Sequence, residues 1–166
     1  MSEIIYRGLR TGDLGWIVYR HGMVYAGELG WPDRLEGIVA GLMGDYAREN
    51  DPERERFYIA ERDGQFLGCV LVSIDRSVDD GGKTAKLRVF LVESTARRMG
   101  IGKQLLDKSL AYAREKGYKK MVLTTEASLT AARRLYAAAG FQMTDVRNCG
   151  SYAPPGSKEE TWALDL

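Results

Sequence analysis

The sequence predicts an α/β fold, a mixed, mostly antiparallel sheet of about seven strands with helices on both faces, and three observations predict it. First, Asp63-Gly64 and Asp79-Asp80-Gly81-Gly82 separate three apolar, β-prone runs, the pattern of an antiparallel meander. Second, residues 84–125 read as strand, glycine loop, amphipathic helix and strand. Such a crossover makes its two strands parallel and joins them in the right-handed sense. Third, two helices are read ahead of the meander, the first from its caps and Pro32, the second from apolar residues at helical spacing.

Each element has its own signal. Ile4 to Leu9 is a short strand, and Thr11 or Asp13 can cap a helix running to Leu29. Pro32 ends that helix and Asp33 caps the next, in which Leu35, Ile38, Val39, Leu42 and Met43 mark one inward stripe. Arg48 to Glu55 is a charged loop. Arg56 to Glu61, Phe66 to Ile74 and Thr84 to Val92 are the meander strands. Lys103 to Lys116 is a helix with Leu105, Leu106, Leu110 and Ala113 inward and Gly117 as its C-terminal stop. Met121 to Thr124 is a strand, Thr130 to Ala139 a helix ended by Gly140, and Phe141 to Val146 and Glu160 to Leu166 are the last strands. Ala153-Pro154-Pro155-Gly156-Ser157 is a loop.

A chain of 166 residues with 45% hydrophobic content suits one soluble domain, residues 1–166, with a single core. The 24 basic and 23 acidic residues leave a net charge of +1, so no global field points to nucleic acid or to an anionic membrane. Cys69 and Cys149 form no spaced cluster, and with His21 as the one histidine no usual structural zinc site can be assembled. No metal is expected. Neither a signal peptide nor an apolar run of about 18 residues is present, so cytoplasmic residence is the expectation. A homodimer stays open.

The segment Arg97-Arg98-Met99-Gly100-Ile101-Gly102-Lys103 lies between the third meander strand and the helix. Glycines have no Cβ to hold a ligand away, and the first N–H groups of a helix lack intrahelical partners. Amides, macrodipole and three cations therefore converge where a phosphate would bind. Gln104 after Lys103 excludes a Walker loop, and Leu105 in place of a third glycine excludes a dinucleotide fingerprint.

The pattern Arg97-x-x-Gly100-x-Gly102 instead resembles the acyl-CoA pyrophosphate loop of the GNAT N-acetyltransferase superfamily. Ala132-Arg133-Arg134-Leu135-Tyr136-Ala137-Ala138-Ala139-Gly140-Phe141 resembles that family's Ala-x-x-Leu-Tyr-x-x-x-Gly-Phe helix. The order of elements is also the family's. The resemblance covers nearly the whole chain, strongest from Lys86 to Phe141. Within the family, the Lys86-Leu87-Arg88 strand and the Tyr19 to Tyr25 stretch resemble GNAT domains often fused behind MarR-like regulators.

The resemblance implies a splayed parallel strand pair that binds acyl-CoA and an acetyl-CoA-dependent transfer to an amine. Pantetheine would lie along the main chain of Leu91 and Val92, the pyrophosphate on residues 97–103, and Tyr136 would protonate the departing thiolate. A tyrosine is a neutral donor at pH 7, with a reference pKa near ~10.

Two departures from the family pattern are informative. Lys86 stands where many relatives hold a glutamate general base, and a charged lysine cannot accept a proton. Strand alternation puts Arg88 and Phe90 on the Lys86 face and Ala85, Leu87, Val89 and Leu91 on the other, so Lys86 and Arg88 are candidates for recognising an anionic group on the acceptor. Leu129 replaces an asparagine that touches the cofactor in many relatives. Without the glutamate, a low-pKa amine is favoured: at pH 7 about 14% of an α-amine but only about 0.04% of a lysine side chain is neutral. Glu28, Glu93 and Glu126 stay open as bases, and Glu28 and His21 are candidate acceptor-site residues. Lys86 also keeps open a second reading, a non-catalytic CoA-sensing or interaction module.

Overall fold

A computed structural model describes residues 2–166, and its chain forms two compact units. The first holds the N-terminal residues to Thr11, Asp51–Met121 and Asp165–Leu166; the second holds Gly12–Asn50 and Val122–Leu164. One seven-stranded sheet has the order β1-β2-β3-β4-β5-β7-β6. Its antiparallel part is β1 (Ile5–Arg7), β2 (Arg56–Arg62), β3 (Gln65–Ile74) and β4 (Thr84–Val92). After α3 (Ile101–Glu115) comes β5 (Lys120–Glu126), placed beside β4 as the crossover requires.

In the first unit the hairpin turn is set by local chemistry. Asp63 and Gly64 both have positive φ, 52° and 77°, as a two-residue turn matched to strand twist demands. β3 is buried along nearly its whole length, on both faces, and α3 packs on β2, β3 and β4. Ile101, Leu105, Leu106 and Ala113 form the buried side of α3, and Phe57 and Ile59 belong to the same unit's core. Gly117, at φ 82°, turns the chain out of the helix one residue beyond its C-cap.

The second unit contains α1 (Asp13–Leu29), α2 (Arg34–Glu49), α4 (Thr130–Ala138), β6 (Gln142–Asn148), β7 (Lys158–Asp165) and most of β5. Neither predicted cap of α1 is used: Gly12 is its N-cap, in a left-handed conformation at φ 97°. α2 runs on to Glu49, past the point where a charged loop was expected to begin. It buries a narrower stripe than its periodicity implied, with Val39 and Met43 inside and Ile38 48% exposed. β6 pairs antiparallel with β7 at the edge of the sheet. Among the described residues no helix is long and apolar enough to cross a membrane.

Candidate active site

The register of β3 against β4 pairs Ser73 with Lys86, Val72 with Leu87 and Leu71 with Arg88, then resumes at Cys69 with Leu91 and Gly68 with Val92. Val70 therefore faces both Val89 and Phe90. This is a β-bulge, and Val89 sits in it at φ 47°, a left-handed conformation that a β-branched side chain rarely adopts. The alternation read from the sequence holds from Ala85 to Arg88, with Ala85 and Leu87 buried and Lys86 and Arg88 half-buried. It fails at the bulge, because an extra residue shifts the phase: Val89 is half-buried like Phe90 rather than sharing the core with Leu91.

Beyond Val92 the chain stays tied to β3 for one more residue, the Glu93 amide donating to the Leu67 carbonyl at 2.9 Å. A 3-10 turn over Ser94–Ala96 follows, and Ala96 is buried. Arg97, Arg98, Met99 and Gly100 are exposed. Arg98 and Gly100 have φ 64° and 76°, with no positive φ at Met99 between them. Such alternation turns successive N–H groups toward one concave side, an anion-binding arrangement of backbone alone. Gly100 is the N-cap of α3 and offers no side-chain acceptor to the amides that follow it. A Cβ built on Gly100 would meet nothing within 4 Å, so the Cα of Gly100 borders open space. Those features fit a phosphate group. Lys103 adds charge, although its Nζ pairs with Asp107 Oδ2 at 2.6 Å on the exposed face of α3.

Arg88 is set among carboxylates. Burial lowers its pKa, the Asp75 and Glu55 charges raise it, and the Arg76 charge opposes them. Asp75 is itself buried and accepts from the Ser77 amide at 3.0 Å and the Ser77 hydroxyl at 2.6 Å. No short motif announces these neighbours, since Glu55 and Asp75 come from loop ends that only the folded meander brings to Arg88. Lys86 is half-buried, and its carbonyl accepts from Ser73 Oγ at 3.3 Å.

In the second unit Tyr136 is buried in α4, its ring 6.0 Å from Phe141 at 60°. The Tyr136 carbonyl accepts from the Phe141 amide at 3.1 Å, which folds the helix end back over the ring. Burial pushes the phenol well above the ordinary tyrosine range, and Tyr25 adds to the rise. Tyr25 stacks on His21 at 6.1 Å and 9°, and meets Trp31 edge-on at 4.9 Å. Trp31 in turn lies 6.2 Å from Tyr152. The aromatic stretch around residues 19–31 hinted at this cluster, but Tyr152 joins it from a distant loop.

His21 is buried with Nδ1 2.8 Å from the Ile17 carbonyl, so Nδ1 carries hydrogen and Nε2 is the basic nitrogen of the neutral ring. The candidate bases differ in their settings. Glu126 is buried and accepts from the amide and hydroxyl of Ser128, closing the turn before α4. Glu93 is buried at the end of β4, and Glu28 is exposed near the end of α1. Leu91, Val92, residues 97–103, Lys86, Arg88 and Glu93 thus belong to the first unit, and Tyr136, His21, Glu28 and Glu126 to the second. Among the described residues no group of three or more His, Cys, Asp or Glu could hold a metal ion.

The sequence profile of the acetyltransferase (GNAT) family matches residues 27–141, a span drawn from both units. A mycothiol acetyltransferase of Cellulomonas flavigena is 33% identical over 118 residues, covering 67% of this chain and 34% of that protein. N-acetyltransferase 8 of Rattus norvegicus is 36% identical over 115 residues, covering 69% of this chain and 52% of its own length. The matches thus span about a third to a half of these relatives. Among solved structures, Salmonella typhimurium YncA, determined with its cofactor acetyl-CoA, has a TM-score of 0.75 at 20% identity, covering 99% of this chain and 95% of its own. At that identity the likeness speaks for the fold alone.

Proposed function

Because this chain belongs to the acetyltransferase (GNAT) family, we propose that it transfers an acetyl group from acetyl-CoA to a primary amine, a small acceptor bearing an anionic group. One observation carries the reading: a bulged β4 leads, through a 3-10 turn, into a glycine loop that starts α3 with its first amides uncapped by any side chain. In this reading the whole chain works as one acetyltransferase domain, nearest within the family to those fused to MarR-like regulators.

The amides of Arg98, Met99, Gly100, Ile101, Gly102 and Lys103 would hold the pyrophosphate, with the charges of Arg97, Arg98 and Lys103 adding long-range attraction, the Arg97 amide itself donating to the Ser94 carbonyl. Main-chain groups of Leu91 and Val92 would pair with pantetheine as a further strand does, which fixes the thioester along the strand direction. The acceptor nitrogen then attacks the thioester carbonyl carbon; a C–N bond forms, the C–S bond breaks, and the sulfur leaves as thiolate.

Tyr136 Oη–H would meet that thiolate. A thiol pKa near ~8.5 lies below even an unperturbed tyrosine near ~10, so full proton transfer from Tyr136 is uphill by at least about 2 kcal/mol. Its raised pKa widens the gap. Tyr136 therefore stabilises the sulfur chiefly by donating a hydrogen bond that strengthens as charge develops, and water completes protonation of the released thiol.

Lys86 and Arg88 would bind the acceptor's anionic group, and their charge depresses the pKa of a nearby amine, which raises its neutral fraction. His21 and Glu28 would line the acceptor side. Deprotonation of the amine runs through water, with Glu28, Glu93 and Glu126 as the candidate carboxylates; Glu126 already accepts from Ser128.

The test is thiol release from acetyl-CoA against a panel of neutral, cationic and carboxylate-bearing primary amines. Acceptor-dependent release supports the enzyme. Tight acetyl-CoA binding without turnover on any acceptor supports the sensing module instead.

A further inference from the structure

The bulge of β4 lies against β3, with Gly68 and Cys69 beside it. They face Val92 and Leu91 across the ladder, immediately beyond the irregularity. Cys69 is fully buried, and its Sγ lies 3.1 Å from the Val89 carbonyl. A bulge disrupts the ladder at the extra residue, so the carbonyl of a bulged residue needs a partner from elsewhere. The Cys69 thiol donates to it. The same contact holds Val89 at its positive φ, which costs roughly 1–2 kcal/mol for a side chain with a Cβ.

Gly68 acts on the other side of the bulge. A Cβ added there would lie 2.6 Å from the Leu91 carbonyl oxygen and 3.3 Å from Val92 Cα, both backbone atoms. No flexible side chain can yield to relieve that contact. It would also reach Leu105 Cδ1 of α3 at 3.5 Å, so the strand cannot retreat toward the helix without repacking. Glycine is thus the residue that lets β4 come this close to β3 at Leu91 and Val92.

We propose that Gly68 and Cys69 are positioning residues for the acyl-CoA strand, with Cys69 holding the bulge at Val89 and Gly68 setting the depth of Leu91 and Val92. This rests on the acetyltransferase reading, in which the Leu91 and Val92 main chain pairs with pantetheine. Neither residue touches the reactants. Their effect reaches the cofactor only through the backbone of β4.

Three variants test this: Cys69→Ser, Cys69→Ala and Gly68→Ala. Each is measured by calorimetric titration with acetyl-CoA, by KM and kcat at saturating acceptor, and by thermal melting. Serine keeps a hydroxyl donor for the Val89 carbonyl, whereas alanine removes it. Cys69→Ala should weaken acetyl-CoA binding about 5- to 10-fold, with KM rising in parallel and kcat within about 2-fold, as loss of one buried hydrogen bond implies. Cys69→Ser should stay within about 2-fold of wild type on every readout, the donor being retained. Gly68→Ala, if it folds, should weaken binding more than Cys69→Ala.

Two results overturn the proposal: a Cys69→Ala protein that melts lower yet binds acetyl-CoA as wild type does, or serine and alanine variants equally impaired. Should Gly68→Ala not fold, the serine and alanine pair decides alone. Wild-type protein that binds no acetyl-CoA at all overturns the acetyltransferase reading itself, a result separable from the others.

Discussion

Arg76 grips the carboxylate of Glu55 at two points, Nη1 to Oε2 at 2.9 Å and Nη2 to Oε1 at 2.6 Å. The Glu55 side chain is only 1% exposed, and it also accepts from the amides of Asp51 at 2.8 Å and Ile74 at 3.2 Å. It thereby ties the loop after α2 to the end of β3. Burial alone would raise the Glu55 pKa, but the Arg76 bonds and the two amides outweigh it and the net shift is downward. A lowered carboxylate pKa gives stability that is present above the unfolded value near ~4.3 and is lost as pH falls through the folded value. Glu55→Gln should therefore cost about 2 kcal/mol at pH 7, the scale of a lost charged hydrogen bond, because Arg76 is half-exposed and its stranded charge stays solvated. Urea midpoints from pH 7 to pH 3 check it. The gap between wild type and variant should close below pH 4, and a constant gap would mean that Glu55 acts through packing.

Gly100 offers a second test, in which the two halves of acetyl-CoA can be separated. Its φ of 76° suits glycine, and a valine there would pull the first turn of α3 out of register with the loop. Gly100→Val should raise KM for acetyl-CoA about 10-fold or more through the lost amide cradle, on the scale of about 1–2 kcal/mol of backbone strain. A truncated acetyl thioester without the pyrophosphate should react with wild type and variant alike. Equal impairment on both donors would show that the loop serves the fold and not the phosphate.

Much of this site was legible from residues near each other in the chain, and the remainder depends on residues that only folding brings together. The bounds of β4 read directly from the β-prone run between the Gly81-Gly82 turn and Glu93, whereas α3 starts at Ile101, two residues before the expected Lys103. The bulge at Val89 left no such mark, because valine is a good strand former and the thiol that holds its carbonyl is 20 residues away. Ile38 misled for a related reason. Helical spacing tells which residues share a face, but the stripe that α2 buries follows Val39 and Met43, one turn apart, and its width is decided by what packs there. The surroundings of Arg88 were equally hidden, since Glu55 and Asp75 approach it from two separate loops.

Tyr136 should matter for turnover and not for cofactor affinity. Tyr136→Phe keeps the ring that packs 6.0 Å from Phe141 and removes only the hydroxyl, so the fold should be kept at a cost of about 1 kcal/mol. Loss of one preorganised donor to a developing charge lowers kcat by about 100-fold. The raised pKa also fixes a sign: the phenol stays protonated to higher pH than a free tyrosine, so wild-type kcat should show no alkaline decline from Tyr136 up to pH 10. A pH–rate profile in both proteins, with single-turnover rates to isolate chemistry, decides the point. A wild-type decline near pH 9 that disappears in the variant would contradict the raised pKa.

Arg88 and Asp75 make opposite predictions about the same acceptor. Arg88 is half-buried with the Asp75 charge close by, so an anionic acceptor must compete with a carboxylate already in place. Asp75 is fixed in that position by its bonds from Ser77, at 3.0 Å from the amide and 2.6 Å from the hydroxyl. Removing the cation should raise KM for carboxylate-bearing amines about 10-fold in Arg88→Gln while leaving neutral amines within about 2-fold, as the loss of one charge-assisted contact implies. Removing the competing anion should do the reverse. Asp75→Asn keeps an acceptor for Ser77 and should lower KM for the same carboxylate-bearing amines, by about 3-fold at low ionic strength and less as salt screens the charges. Steady-state kinetics on matched neutral and anionic amines at two salt concentrations reads both effects. If Asp75→Asn and Arg88→Gln shift KM in the same direction, the ion cluster supports the meander and has no part in choosing the acceptor.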